Sequence, residues 1–342
     1  MIDTREEIHP IFNNCPNNLE FRKLRKRIIR QTRDIIHNFE MIEKDGVDAI
    51  CRGEGEIYFA ELVDKLGQGK DFYETKNFWF KKKDGTVIKN SMGKLIPQLD
   101  SNPEPDRKLM YDADKALRVR GTKLFMATRG CPYQCTYCFN HAYNALTKGT
   151  GEMIRSRSVD SIINEIKEVQ KDYFMDRVNI DDDIFLLKPK GWLEEFAEKY
   201  PKEIGLPLYC NIRPELVNEK TGYLLKKIGC QRAAMGIECG NNEVARKVLK
   251  RNTTNDKIVD AVRILKKNDV KVKLQNIIGL PIANPLKVDY ETLDFNIMLK
   301  PHVAGCSILY PYPGTEVSHL AKEMGLFDGK HEKVQISNKT SS

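Results

Sequence analysis

From residue 123 to residue 310 the chain repeats one pattern, a short apolar or β-branched run followed by an amphipathic stretch of helical period. Strands that alternate with helices pair in parallel and need crossovers of one hand, so this alternation restricts the fold more than any other feature. Strands are expected at 123–128, 177–182, 207–212, 232–238, 271–280 and 305–310. Helices are expected at 159–173, 191–200, 214–228, 243–250, 255–268 and 287–299. In the first of these, Ile162, Ile163, Ile166 and Val169 share a face. Ser158 or Asp160, Asn242, and Thr254 or Asn255 supply caps. Eight units would close a barrel. Six imply an α/β fold with an open, partial (β/α)6 barrel, and a two-sided Rossmann-like sheet is the competing topology.

The region before residue 120 reads differently. A strand is expected at 47–51, a helix at 56–66, and a hairpin from 78–82 and 86–90 around Lys83-Asp84-Gly85. Residues 95–110, with Pro97, Pro103 and Pro105, read as an extended linker. The divisions that follow are 1–46, a basic helical segment; 47–115; 116–328, the β/α core; and 329–342, a flexible tail.

With 41% hydrophobic and 30% charged residues the chain can bury a core. Much of the net charge of +8 is local: seven of the twelve residues from Arg22 to Arg33 are basic. Leu24, Ile28, Ile35 and Phe39 recur at near-helical spacing, so the run reads as the solvated face of a helix. No interleaved aromatics or recognition motif points to nucleic acid. No apolar run is long enough for a membrane span. Nine cysteines behind a polar, acidic start imply a reducing, cytoplasmic setting. Cys15, Cys51, Cys210, Cys230, Cys239 and Cys306 are scattered and read as small hydrophobes.

The other three cysteines are not scattered. Cys131, Cys135 and Cys138 follow the first strand of the repeat with spacing Cys-x3-Cys-x2-Cys. Three thiolates are one short of a closed tetrahedral zinc site, and one short of the usual ligand set of a four-iron cluster. In parallel α/β barrels chemistry gathers at the C-terminal strand ends. There the chain places Asp181, Asp182 and Asp183, then Asn211 and Arg213, Glu238 and Cys239, Gly279-Leu280-Pro281, and Tyr310 to Gly314. Taken singly, the aspartates read as a cap or turn, Glu238 as a solvated strand end, and Arg251 as a surface arginine. Together they suit a metal cluster with a charged small molecule.

The triplet, with Tyr137 just before its last cysteine, resembles the signature of the radical SAM superfamily. Met235 to Gly240, Val248 to Arg251, Ile277 to Pro281 and Pro311 to Thr315 resemble successive motifs of the cobalamin-binding radical SAM subgroup, over about residues 121–327. The resemblance implies a [4Fe–4S] cluster on Cys131, Cys135 and Cys138, whose fourth iron binds S-adenosylmethionine. One electron then cleaves that cofactor to a 5′-deoxyadenosyl radical, which abstracts hydrogen from a substrate. It implies that Glu238 and Arg251 contact S-adenosylmethionine. By the same likeness the backbone near Tyr137 and the strand around Ile278 hold its adenine. Asp182 and Asp183 offer a partner for its ammonium. A flavodoxin or ferredoxin is implied as electron donor.

Residues 47–115 resemble the closing segment and linker of the subgroup's cobalamin domain. The likeness stops there, because a whole domain needs more strands than the 46 residues ahead of Val47 provide, and no histidine sits in Asp-x-His-x-x-Gly. Methyl transfer with cobalamin is therefore expected of a fuller form, and not of this chain alone. Related methylthiotransferases carry a further cysteine-bearing domain and an RNA-binding domain, neither visible here. Two other readings stand beside this one: a zinc module with His141 as fourth ligand, and a non-catalytic remnant.

Overall fold

The structure is a computed structural model that describes Ile28–Ile29 and residues 39–329. It divides into two compact units, one of residues up to 97 with 102–118 and 142–152, the other of 98–101, 119–141 and 153 onward.

In the first unit β1 (Ile28–Ile29), β2 (Ala49–Cys51), β3 (Phe78–Lys81) and β4 (Val87–Lys89) form one sheet in that order. The β1–β2 pair is parallel and the others antiparallel. The hairpin turns where expected: Gly85 takes φ +87°, and Asp84 Oδ1 accepts the Thr86 N–H at 2.9 Å. Helix α1 (Glu56–Gly67) buries Leu62 and Leu66 with Ala49, Phe78 and Phe80. Two expectations are corrected. Ile28–Ile29 is strand, not helix; the rest of the basic run, like the tail after Gly329, lies outside the described residues. The segment 95–110 is not extended throughout, because a 3-10 turn (Leu99–Ser101) and α2 (Arg107–Ala113) interrupt it. Asp106 accepts the Leu109 N–H at 3.0 Å, which starts α2 soon after the last proline. The short α3 (Lys115–Val119) follows.

From residue 122 the chain runs β5 (Thr122–Phe125), β6 (Thr128–Arg129), α4 (Asn140–Leu146), β7 (Arg155–Ser156), α5 (Val159–Asp172), β8 (Arg177–Ile180), α6 (Trp192–Glu203) and β9 (Leu208–Ile212), all in the second unit except residues 142–146 of α4. Then come α7 (Glu219–Ile228), β10 (Cys230–Glu238), α8 (Asn242–Lys247), α9 (Asn255–Lys267), β11 (Lys271–Ile278), α10 (Pro285–Leu299), β12 (Val303–Ile308) and α11 (Glu316–Glu323). Six strands form one sheet in the order β5-β8-β9-β10-β11-β12, every neighbouring pair parallel. That order never reverses. A two-sided sheet requires a reversal, so the competing topology is excluded and crossovers of one hand leave the helices on one face. Among the described residues β5 and β12 do not pair, so the barrel is open and partial.

Alternation along the strands decides what faces where. Leu208, Cys210 and Ile212 on β9, with Ala233, Met235 and Ile237 on β10, are buried. On the helices Ile162, Ile163, Phe196, Tyr200 and Leu225 are also buried. Each such aliphatic side chain contributes roughly 1.5–3 kcal/mol by leaving water. The caps follow the sequence with one shift: Ser158 and Thr254 cap α5 and α9, but Asn241, not Asn242, accepts the Val244 N–H and caps α8. Asn242 instead accepts the Asn255 N–H, at 2.9 Å. Helices α4 and α11 and the β6–β7 pair, none of them expected, flank the cysteine loop or follow the last strand in the order of the chain.

Candidate active site

The sheet face away from the helices carries Asn211, Ala234 and Gly236, with Arg213 and Glu238 at the strand ends. These residues line a cavity of about 430 Å3 together with Cys131, Cys135 and Cys138. The loop that holds the cysteines is fastened at Thr136. Its Oγ1 donates to Val248 O at 2.7 Å, its N–H to Leu249 O at 3.3 Å, and its carbonyl accepts the Val317 N–H at 3.2 Å. Gly130 enters the loop at φ +96°, and a Cβ there would fall 2.0 Å from Met153 O, so no other residue fits.

Two guanidinium groups flank Cys135. Arg251 Nη1 lies 4.0 Å and Arg213 Nη1 3.5 Å from its sulfur. Arg251 also donates to Tyr137 Oη at 3.0 Å and to Gly236 O, and lies 3.6 Å from Glu238 Oε1. Tyr137 Oη in turn donates to Glu238 Oε1 at 2.9 Å. Burial pushes the Glu238 carboxyl up, and Arg251 only partly offsets it. Burial likewise works against the charge of Arg251, but Tyr137 and Glu238 outweigh it and keep the guanidinium charged. Glu238 occupies the left-handed region at φ +64°, where β10 shifts register against β11. That conformation costs a side-chain-bearing residue about 1–2 kcal/mol, which the buried contacts must offset. Arg213 stacks 3.6 Å above the Tyr133 ring and is gripped by Glu215 at 2.6 and 3.2 Å. Burial raises the Glu215 carboxyl, yet Arg213 and Thr253 outweigh it and hold it below its ordinary value.

These residues fit a cluster. Burial pushes the Cys138 thiol up to about 11 and raises Cys131 as well, so without a metal these thiols stay protonated at neutral pH. A cation supplies the charge that ionises them. Among the described residues no three of His, Cys, Asp and Glu are drawn to the spacing of a single ion. A cubane needs its thiolates further apart than one ion does. His141, the candidate fourth ligand of a zinc site, has a buried Nδ1 without a hydrogen-bond partner and is not part of the cavity wall.

Each expected site residue has a definite place. Tyr137, Asp183, Glu238 and Arg251 line the cysteine cavity. Asp182 is held by the protein itself. Although it touches the cavity, its carboxylate is fully buried and spent within the protein: Oδ1 accepts the Ala127 and Thr128 N–H groups at 2.7 and 2.8 Å, and Oδ2 pairs with Lys188. It holds the end of β5 in place and exposes no surface to a ligand. Asp183 remains, its carboxyl raised by burial while Asn140 pulls it down. Ile278, on the strand expected at the adenine, turns its side chain to the helical layer. It lines a separate cavity of about 440 Å3 against α10, while its neighbour Ile277 packs with Tyr137, Leu249 and Leu280. One residue along a strand is the other face of the sheet. Strand ends in the sequence point to Arg213 but not to Glu215, Gln275 or Lys188. Of these only Glu215, two residues past Arg213, leaves a local signal.

Residues 126–289 match the radical SAM superfamily. The chain is 29% identical over 272 residues to an uncharacterised methyltransferase of Pyrococcus horikoshii, covering 79% of this chain and 57% of that protein. It is 26% identical over 315 residues to a putative methylthiotransferase of Methanocaldococcus jannaschii, covering 85% and 64%. Thus the chain spans less than two thirds of the length of these curated relatives. In fold it is similar to the methyltransferase TsrM of Kitasatospora setae, solved with cobalamin and a [4Fe–4S] cluster, with TM-score 0.65, 19% identity and coverage of 85% and 58%. It is also similar to the cobalamin-dependent enzyme OxsB, solved with aqua-cobalamin and S-adenosylmethionine, with TM-score 0.65, 16% identity and coverage of 86% and 42%.

Proposed function

Because the chain belongs to the radical SAM superfamily, we propose that Cys131, Cys135 and Cys138 hold a [4Fe–4S] cluster and that S-adenosylmethionine lies in the adjoining cavity. Membership implies an enzyme that uses both cofactors with a reductant; which atoms of this chain hold them is our assignment. The carrying observation is the convergence of the three cysteines with Tyr137, Glu238 and Arg251 on one cavity. When bound, the reduced cluster supplies the electron that cleaves the sulfonium and yields a 5′-deoxyadenosyl radical. Arg251 keeps its charge and offers a planar fork to a carboxylate. Glu238, held by Tyr137, accepts from a ribose hydroxyl or an ammonium, and Asp183 is a further acceptor for the ammonium. Arg213, braced by Glu215, places a second fixed cation beside Cys135 and offsets thiolate charge.

With both cofactors held there, the chemistry supplied would be hydrogen abstraction from a substrate, and flavodoxin or ferredoxin would suit the electron supply. Methyl transfer is the outcome the relatives' names favour, and it would draw on cobalamin. This chain's N-terminal sheet offers one parallel strand pair among the described residues, so we assign cobalamin binding to no residue of it.

Anaerobic reconstitution should give a brown protein with about four irons per chain. Cys131→Ala, Cys135→Ala and Cys138→Ala should each lose the iron. Reduction with dithionite should release 5′-deoxyadenosine from S-adenosylmethionine. A colourless protein with stoichiometric zinc would overturn the reading, and full iron loading without cleavage would favour a non-catalytic remnant.

A further inference from the structure

We propose that the concave face of the sheet carries an anion subsite below the cysteine cavity, built from Arg177, Arg232, Lys271 and Lys273 around Tyr209, which takes the phosphate or carboxylate end of the substrate. This rests on the reading above, since it names the class of molecule presented to that cavity.

Alternation places the group on one face. The residues of β8, β9, β10 and β11 that point away from the helices include Arg177, Tyr209, Arg232, Lys271 and Lys273, below Asn211, Ala234, Gly236 and Gln275 of the cavity wall. Arg232 lies 4.0 Å over the Tyr209 ring and Arg177 5.0 Å from its centre. The ring is fixed in turn, its hydroxyl 3.0 Å from Gln231 Oε1. Stacking on a ring satisfies the faces of a guanidinium and leaves its N–H edges available.

Those edges find little inside the protein. Among the described residues none of the four cations is in an ion pair, and Arg177 has only a 3.4 Å hydrogen bond to Thr122. The Nε of Arg177 is buried with no partner. On the helical layer the habit is opposite: Lys199, Lys227 and Lys267 each meet a carboxylate. Register sharpens the contrast. Arg232 is directly opposite Lys271, and Lys273 is one layer up, opposite Ala234. Like charges facing across two strands destabilise a sheet. An anion between them removes that cost.

Spacing sets the shape of the ligand. Arg232 is four residues below Gly236 of the cavity wall, about 13 Å along the strand. Leu124, level with Tyr209 on β5 and 45% exposed, adds apolar surface to the same face. The ligand is thus a small molecule with an anionic head and a partly apolar body that reaches the cysteine cavity.

Inorganic pyrophosphate, titrated calorimetrically into the whole chain at physiological ionic strength, tests this, with citrate in parallel to tell a phosphate preference from a carboxylate one. Saturable one-to-one binding of either anion is expected. Arg232→Gln and Arg177→Gln should each weaken it about tenfold or more, and Arg232→Lys should recover part of the loss. Lys271→Glu, at an exposed position, should weaken it similarly and serves if the arginine variants unfold. The triple Cys131→Ala/Cys135→Ala/Cys138→Ala variant should bind pyrophosphate like the wild type, so failure of the cluster reading and failure of the subsite register separately. No saturable binding to the wild type, or binding unchanged in Arg177→Gln/Arg232→Gln with Lys271→Glu, overturns the proposal.

Discussion

Two buried ion pairs stand near strand ends in the β/α unit, and they are built to different standards. After β8, Asp182 and Lys188 close on each other: the carboxylate takes two backbone N–H groups and the ammonium, and both side chains are at most 1% exposed. After β10, Glu238 and Arg251 stand 3.6 Å apart, with Glu238 in a left-handed backbone and its carboxyl pushed up by burial. A pair closed on itself is scaffold. A pair that is buried, loosely matched and open to a cavity is where a charged ligand would complete the set, because perturbed groups gather at such places.

The largest effect should come from breaking the closed pair. Lys188→Met leaves the Asp182 charge buried without its cation, and should lower stability by about 3–5 kcal/mol in urea unfolding. The double variant Asp182→Asn/Lys188→Met should recover much of that. If the single variant is as stable as the wild type, the contrast between the two pairs fails. Next is the open pair. Arg251→Lys removes the planar fork, and S-adenosylmethionine should bind the iron-loaded protein roughly 10–100-fold more weakly, the worth of a hydrogen bond to a charged group.

Acid should find a third pair. The Glu215 carboxyl is held below its ordinary value, so it adds stability above the unfolded value of about 4.3 and loses that contribution as pH falls through the folded value. Glu215→Gln should therefore be less stable than wild type near neutrality, with the gap closing in acid; urea midpoints across that range decide it. The smallest effect should be Glu238→Gly. Relief of the left-handed backbone returns about 1 kcal/mol against the lost contacts, so the thermal midpoint should move by only a few degrees while the carboxylate's role in ligand binding is lost.

Part of the site is legible in the chain itself. Cys131, Cys135 and Cys138 declare themselves by spacing, and Glu238 and Arg251 by the motifs around them, because those signals are local. Asp182 and Asp183 cannot be told apart that way, since consecutive residues differ only in which side of the strand end they face. The same ambiguity covers Ile277 and Ile278. Lys188 gives no signal, because its importance lies in a desolvated partner six residues earlier in the chain. The cations of the concave face are visible as residues, but they become a group only where register places Arg232 beside Lys271 and Tyr209.

By itself the sequence determined the number of β/α units, the order of their strands and helices, and the three thiols with their spacing. Periodicity and spacing are properties of neighbours in the chain, so they survive without a fold. Only the tertiary structure decided that the strands lie in unreversed order, that Asp182 is spent on Lys188 while Glu238 stays open, and that four cations share a face with no ion pair to any of them among the described residues. Those outcomes depend on which strands become neighbours and on how much water each charge loses, and neither quantity is written within reach of any single residue.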